Sequence, residues 1–196
     1  MSLNSNTIYK VVAKVITKFT LLVWLIVGLY FGIAGLAKAK YDENIQEIEN
    51  KKEKLMKESV DYKLDDLTFS NKYELLHYIE DKNVSKYFLW AQEISSFLSL
   101  ILTSFFFGIL GSISSIFKEI VYDNVNISDI KIWSKPLLGG LTGLVIFGLS
   151  YILPEILVNN SGSMKPITLM FLSMFGGMFT KEFQDKLSLY FNKVFL

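Results

Sequence analysis

The sequence predicts an all-α, polytopic membrane protein with about four transmembrane helices and a helical hairpin outside the bilayer between helices 1 and 2. Two observations carry this. Four runs hold no charged residue: Phe19–Ala37, Ile94–Phe117, Pro136–Pro154 and Pro166–Thr180. About 20 such residues cross a bilayer, and in lipid each backbone group needs an internal partner, which a helix supplies. Between the first two runs lies a dense mixed-charge stretch, Lys38–Lys86, with ten Lys against twelve Asp and Glu. The segments are therefore 1–37 (amphipathic lead and first span), 38–86 (hairpin), 87–117 (second span), 118–135 (connector), 136–158 (third span), 166–180 (short fourth span) and 181–196 (C-terminal amphipathic helix).

Composition excludes several classes of chemistry. The net charge of the 196 residues is +1, which gives no basic surface for nucleic acid, and all 20 basic residues are lysine, so bidentate guanidinium recognition of phosphate is absent. No cysteine is present, which removes disulfides, thiolate catalysis and cysteine–zinc sites together. His77 is the only histidine and builds no metal site alone. There is no phosphate-binding glycine loop, no GxSxG and no HExxH. No catalytic residue, metal ligand or cofactor site is expected, and the chain does not read as an enzyme. The first run lacks a small-x-small cleavage site and reads as a span rather than a cleavable signal.

In chain order, Lys10, Lys14 and Lys18 stand four apart on one helix face before the first span. They form either a snorkelling edge at the interface or a specific lipid site. Within the span, Gly28 and Gly32 make a GxxxG pair, which lets helices approach closely. No Pro or Gly separates the span from the charged stretch after it, so one helix should continue from about Thr7 to Ser59, with Ile45, Ile48, Lys52 and Leu55 at heptad spacing. That narrow stripe needs a partner, either the following helix or a second subunit. Asn71, with Glu74 three residues on, resembles a capping box opening a short helix, KYELLHYIEDK. Asn83 or Ser85 should then cap the second span.

That second span is the most informative segment. Gln92, Ser96, Ser99 and Thr103 recur at steps of four, three and four, on one helical face. The hydroxyls either bond their own or a neighbouring helix backbone, or line a water-filled path with Phe106, Phe107 or Leu110 below them as an apolar constriction. Glu93 adjoins this face, and carboxylates ringed at that level would attract cations. Glu155 is the other carboxylate beside a span. Ser104, Gly108 and Ser112, also four apart, suit close helix contact. The third span brings a second GxxxG, Gly139 and Gly143, and the fourth brings Ser173 and Gly177 four apart. Fifteen residues rise only about 22 Å, so the fourth run needs local thinning or is re-entrant. After it, Phe183, Leu187, Tyr190, Phe191 and Val194 share one face of an amphipathic segment suited to a membrane surface or a neighbouring subunit. The short segments carry nine lysines on the side of both termini against one opposite, which predicts cytoplasmic N- and C-termini in the cell (inner) membrane.

Two resemblances follow from these residues. Pro136–Gly140 and Phe171–Phe175 resemble the closing membrane segment of many bacterial proteins, where a Pro-Leu-Leu-Gly-Ala-Leu run precedes a Phe-Leu-Ala-Gly-Phe run and an amphipathic helix. The acidic–basic pair usual after the second run is replaced here by Gly177 and Met178, so any role of that pair does not carry over. The plan of four spans with a hairpin after the first resembles small bacterial membrane effectors of anti-phage defence, of which the Hailong-type tetrameric channel held shut by DNA oligomers is one. That resemblance implies a gated, membrane-permeabilising homotetramer with ions as its traffic and an oligonucleotide or protein regulator. The residues themselves leave two functions open: a homo-oligomeric pore lined by the second span, or a non-conducting membrane anchor whose hairpin recruits a partner protein.

Overall fold

The computed structural model describes residues 5–122, 132–150 and 166–195. They are mostly helical and fall into two compact units, Met1–Ile33 with Ile101–Leu196, and Ala34–Leu100. Among them, two helices are long and apolar enough to cross a membrane: α1 (Ser5–Asn50) and α4 (Ser96–Tyr122). The third and fourth uncharged runs form α5 (Ser134–Ser150) and α6 (Pro166–Met178), of 17 and 13 residues. These rise about 26 and 20 Å, less than a hydrocarbon core of about 30 Å. Glu155 and the 151–158 end of the expected third span lie outside the described residues.

The first unit is built around α4. Of its most apolar window 56% is buried, against 28% for that of α1. Against α1 the packing is antiparallel. Leu21 meets Ile116, a Cβ at Gly28 would lie 2.9 Å from Leu110, and one at Gly32 would lie 3.1 Å from Phe107. Phe31 stacks on Phe106 with ring centroids 4.7 Å apart. The opposite side of α1 stays exposed along Val15, Phe19, Leu22, Ile26 and Ile33. Against α5 the register is also antiparallel and steps by four. Ser104 faces Gly143, Gly108 faces Gly139, and the Ser112 hydroxyl donates to the Lys135 carbonyl at 2.7 Å.

The glycines at this seam are required by distance. A Cβ on Gly139 would sit 2.5 Å from both the Gly108 oxygen and Ser112 Cβ, so the two backbones touch. Helix α6 closes the third side, with Gly177 against the Gly108 carbonyl and Gly111 against the Met174 carbonyl. A final helix, α7 (Thr180–Phe195), holds Phe183 and Leu187 half-buried; the side chains of Tyr190, Phe191 and Val194 lie outside the described residues.

The second unit corrects the expected hairpin. The α1 helix does not run to Ser59: a turn at Lys51 breaks it and α2 (Lys52–Lys57) follows. Two strands come next, β1 (Ser59–Leu64) and β2 (Leu67–Asn71), paired antiparallel with Leu64 opposite Leu67 and Tyr62 opposite Phe69. The chain is therefore not purely α. Asp65 and Asp66 make the two-residue turn with φ of 51° and 65°, the left-handed pair that a tight hairpin requires and that Asp tolerates.

Helix α3 (Lys72–Ser85) opens at Asn71, whose side chain accepts from the Glu74 N–H at 2.9 Å. It is tied to α1 by Tyr41 donating to Asp81 at 2.6 Å, by Asn44 donating to Glu80 at 3.0 Å, and by Tyr73 donating to Glu49. Ile48, Leu55, Phe69, Val84 and Ala91 are the small buried core of this unit. The narrow stripe of α1 and α2 thus finds cover within the chain.

Neither Asn83 nor Ser85 caps the second span. After α3 the chain passes through a 3₁₀ turn, Leu89–Gln92, and α4 begins only at Ser96, where the Ser95 hydroxyl accepts from the Leu98 N–H at 3.3 Å. The Ser95 side chain supplies an oxygen for an orphan N–H at the start of the helix.

Candidate functional site

The late start of α4 separates the six positions expected to line a path. Gln92 belongs to the 3₁₀ turn, and its amide donates to the Asp81 carbonyl at 2.8 Å. Glu93 and Ser96 are exposed. Ser99 is 0% exposed and donates to the Gly35 carbonyl at 2.8 Å. Thr103 and Phe107 are buried, Phe107 with its ring against Gly32. The six do not share one open face of a single helix, and the inner three are enclosed by the chain's own side chains and backbone.

The nine positions expected at helix contacts, Gly28, Gly32, Ser104, Gly108, Ser112, Gly139, Gly143, Ser173 and Gly177, are all buried. Gly28 and Gly32 both face α4, and Gly139 and Gly143 face its other side. The Ser173 hydroxyl is buried without a hydrogen-bond partner among the described residues.

In the second unit, Lys38 is only 6% exposed. Its ammonium lies 2.9 Å from Asp42 and 4.9 Å from the centre of the Tyr41 ring. Burial and then the bond to Asp81 push the Tyr41 hydroxyl well above the usual tyrosine range. At the surface of this unit the Tyr73 hydroxyl holds the Glu49 carboxyl below the usual carboxylate range. Lys72 does the same for Glu58, and Lys82, followed by Tyr78, for Asp65. His77 lies 3.5 Å from Asp81 and beside the Tyr73 ring, which is a surface packing role. Among the described residues no three His, Cys, Asp or Glu side chains are grouped to hold a metal ion.

One site escaped the sequence reasoning. A cavity of about 350 Å³, with charged side chains on its wall, opens at the C-terminal end of α4, between α5, α6 and α7. Its floor includes Ser112 and Gly177, and its wall carries the Lys135–Glu119 pair, whose Nζ lies 2.6 and 2.5 Å from the two carboxylate oxygens. The signal was present: Glu119 and Lys135 lie just outside two uncharged runs, and antiparallel helices bring those ends together. No protein-family model, no curated protein and no solved structure matches this chain.

Proposed function

We propose that this chain is a multi-pass protein of the cell (inner) membrane that does not conduct, and that anchors a small charged module for recruitment of a partner protein. The observation that carries this is the burial of Ser99, Thr103 and Phe107 inside one chain, with the Ser99 hydroxyl already given to Gly35. A face that is to line an aqueous path between subunits needs those hydroxyls at its surface. The Ala34–Leu100 unit, with its own core and surface ion pairs, suits a recruiting module. Both termini are assigned to the cytoplasm, from the lysine bias of the short segments.

The experiment is ion flux in liposomes containing the full chain. Flux equal to that of empty liposomes agrees with the anchor reading, whereas robust conductance would sink it. A second reading, a homotetrameric pore acting as a gated effector of anti-phage defence, keeps one observation in its favour. Glu93 and Ser96 are exposed beside the start of α4 and are available to a ring of subunits. Conductance lost in Glu93→Gln and Ser96→Leu would select that reading, with an oligonucleotide or protein as its regulator.

A further inference from the structure

We infer that the cavity at the C-terminal end of α4 binds the head group of a zwitterionic phospholipid carrying a primary ammonium, of phosphoethanolamine type. The inference rests on the membrane assignment above. Three features point to this ligand class.

The first is charge. Lys135 is closed off by both oxygens of Glu119. That leaves Lys181, Glu182 and Asp185 on the wall, with no ion pair to one another or to other described residues. Two carboxylates and one ammonium complement a ligand with a cation at one end and a phosphate ester next to it. A purely anionic head group would meet two like charges there. A bare divalent cation lacks a ligand set, because Glu119 is taken by Lys135 and no three carboxylates among the described residues are arranged to hold a metal ion.

The second is shape. The floor reaches the buried Ser112 and Gly177, while the charged side chains stand at helix ends, so polarity increases outward. About 350 Å³ is at the lower end of small-ligand cavities and admits a head group.

The third is the apolar continuation. Leu138 lines the cavity, and Leu138, Leu141 and Val145 follow at i, i+3 and i+7 on one face of α5, exposed by 40%, 51% and 40%. A water-soluble zwitterion has no use for that stripe, but acyl chains lie along it.

The test is lipid retention by the delipidated full chain in detergent micelles, read by native mass spectrometry. Phosphatidylethanolamine, phosphatidylglycerol of the same acyl chains, and soluble glycerophosphoethanolamine are added separately. Phosphatidylethanolamine should be retained about tenfold over phosphatidylglycerol, as expected for one well-placed charge-assisted contact. Glu182→Gln with Asp185→Asn should erase that preference without altering helix content, because both side chains are exposed. Equal retention of the two lipids, or a preference unchanged in the double variant, overturns the assignment. Glycerophosphoethanolamine bound as tightly as the lipid overturns the lipid as the source. Carbonate washing of membranes tests the underlying assignment on its own: a chain released by carbonate is not an integral membrane protein, whatever its lipid selectivity.

Discussion

Replacing Gly108 by alanine probes the packing at its tightest point. The added Cβ would fall inside the contact distance of the Gly139 carbonyl oxygen, 3.0 Å from the carbonyl carbon and 3.1 Å from the Gly143 nitrogen. All three are backbone atoms of α5, so no rotamer change relieves the clash. Non-bonded carbons rest at about 3.5–4.0 Å, so α4 and α5 must part by about an ångström. Parting them also weakens the Ser112–Lys135 hydrogen bond and the Gly177 contact on the third side. Overpacking of this kind costs about 1–3 kcal/mol. For a chain of this length each kcal/mol shifts Tm by about 2–4 °C, so a fall of about 2–12 °C is expected.

The control is Gly148→Ala on α5 itself, where a Cβ meets nothing within 4 Å. There alanine removes the glycine penalty of about 1 kcal/mol in a helix, and Tm should hold or rise slightly. Thermal unfolding in detergent, followed by tryptophan fluorescence, measures both. The reasoning fails if Gly108→Ala melts with the parent chain, or if Gly148→Ala falls as far.

Three further outcomes are expected in the Ala34–Leu100 unit. Asn71→Ala removes the acceptor for the Glu74 N–H and should cost about 1 kcal/mol, read as roughly fivefold faster hydrogen exchange across the first turn of α3. Lys38→Met leaves the Asp42 carboxylate without its cation in a largely buried place, with a cost of about 2–3 kcal/mol because Asp42 keeps some solvent. Adding Asp42→Leu should recover most of it, and a double-mutant cycle gives the coupling. Acid should loosen the hairpin. Glu49, Glu58 and Asp65 have their pKa lowered in the folded state, so their contribution is full above the ordinary carboxylate range and is lost as pH falls below about 4. Hydrogen exchange against pH follows this, and Asp65→Asn should flatten part of the acid limb.

The long apolar elements were legible because a missing charge over 15 or more residues is a strong signal. The Ser104–Gly108–Ser112 step of four was legible for the same geometric reason, and so was the Asn71 cap. The β-hairpin was obscured by its turn. Val60, Tyr62 and Leu64, then Leu67 and Phe69, do alternate at period two, but Asp-Asp between them is a weak turn signal beside Asn-Gly or Asp-Gly. The break before Ser96 was hidden because Tyr87–Ala91 is apolar and Tyr87–Ser95 holds no Pro or Gly, so it reads as more turns of the same helix.

The path-lining stripe shows where helical spacing stops being informative. Spacing states which residues share a face; it does not state what covers that face. A serine hydroxyl in an apolar helix is satisfied equally by water in a channel or by a carbonyl on a neighbour, and Ser99 has the carbonyl of Gly35. The glycines discriminate better. A helix with small residues on one side only can offer the other side to lipid or to a second subunit. Here α4 meets α5 at Gly108, α6 at Gly111, and the glycine face of α1 at Leu110 and Phe107. Three helices converge on it within two turns, which is the environment of an interior helix. The described contacts of this stretch, Phe107–Gly111, are thus all made with helices of the same chain.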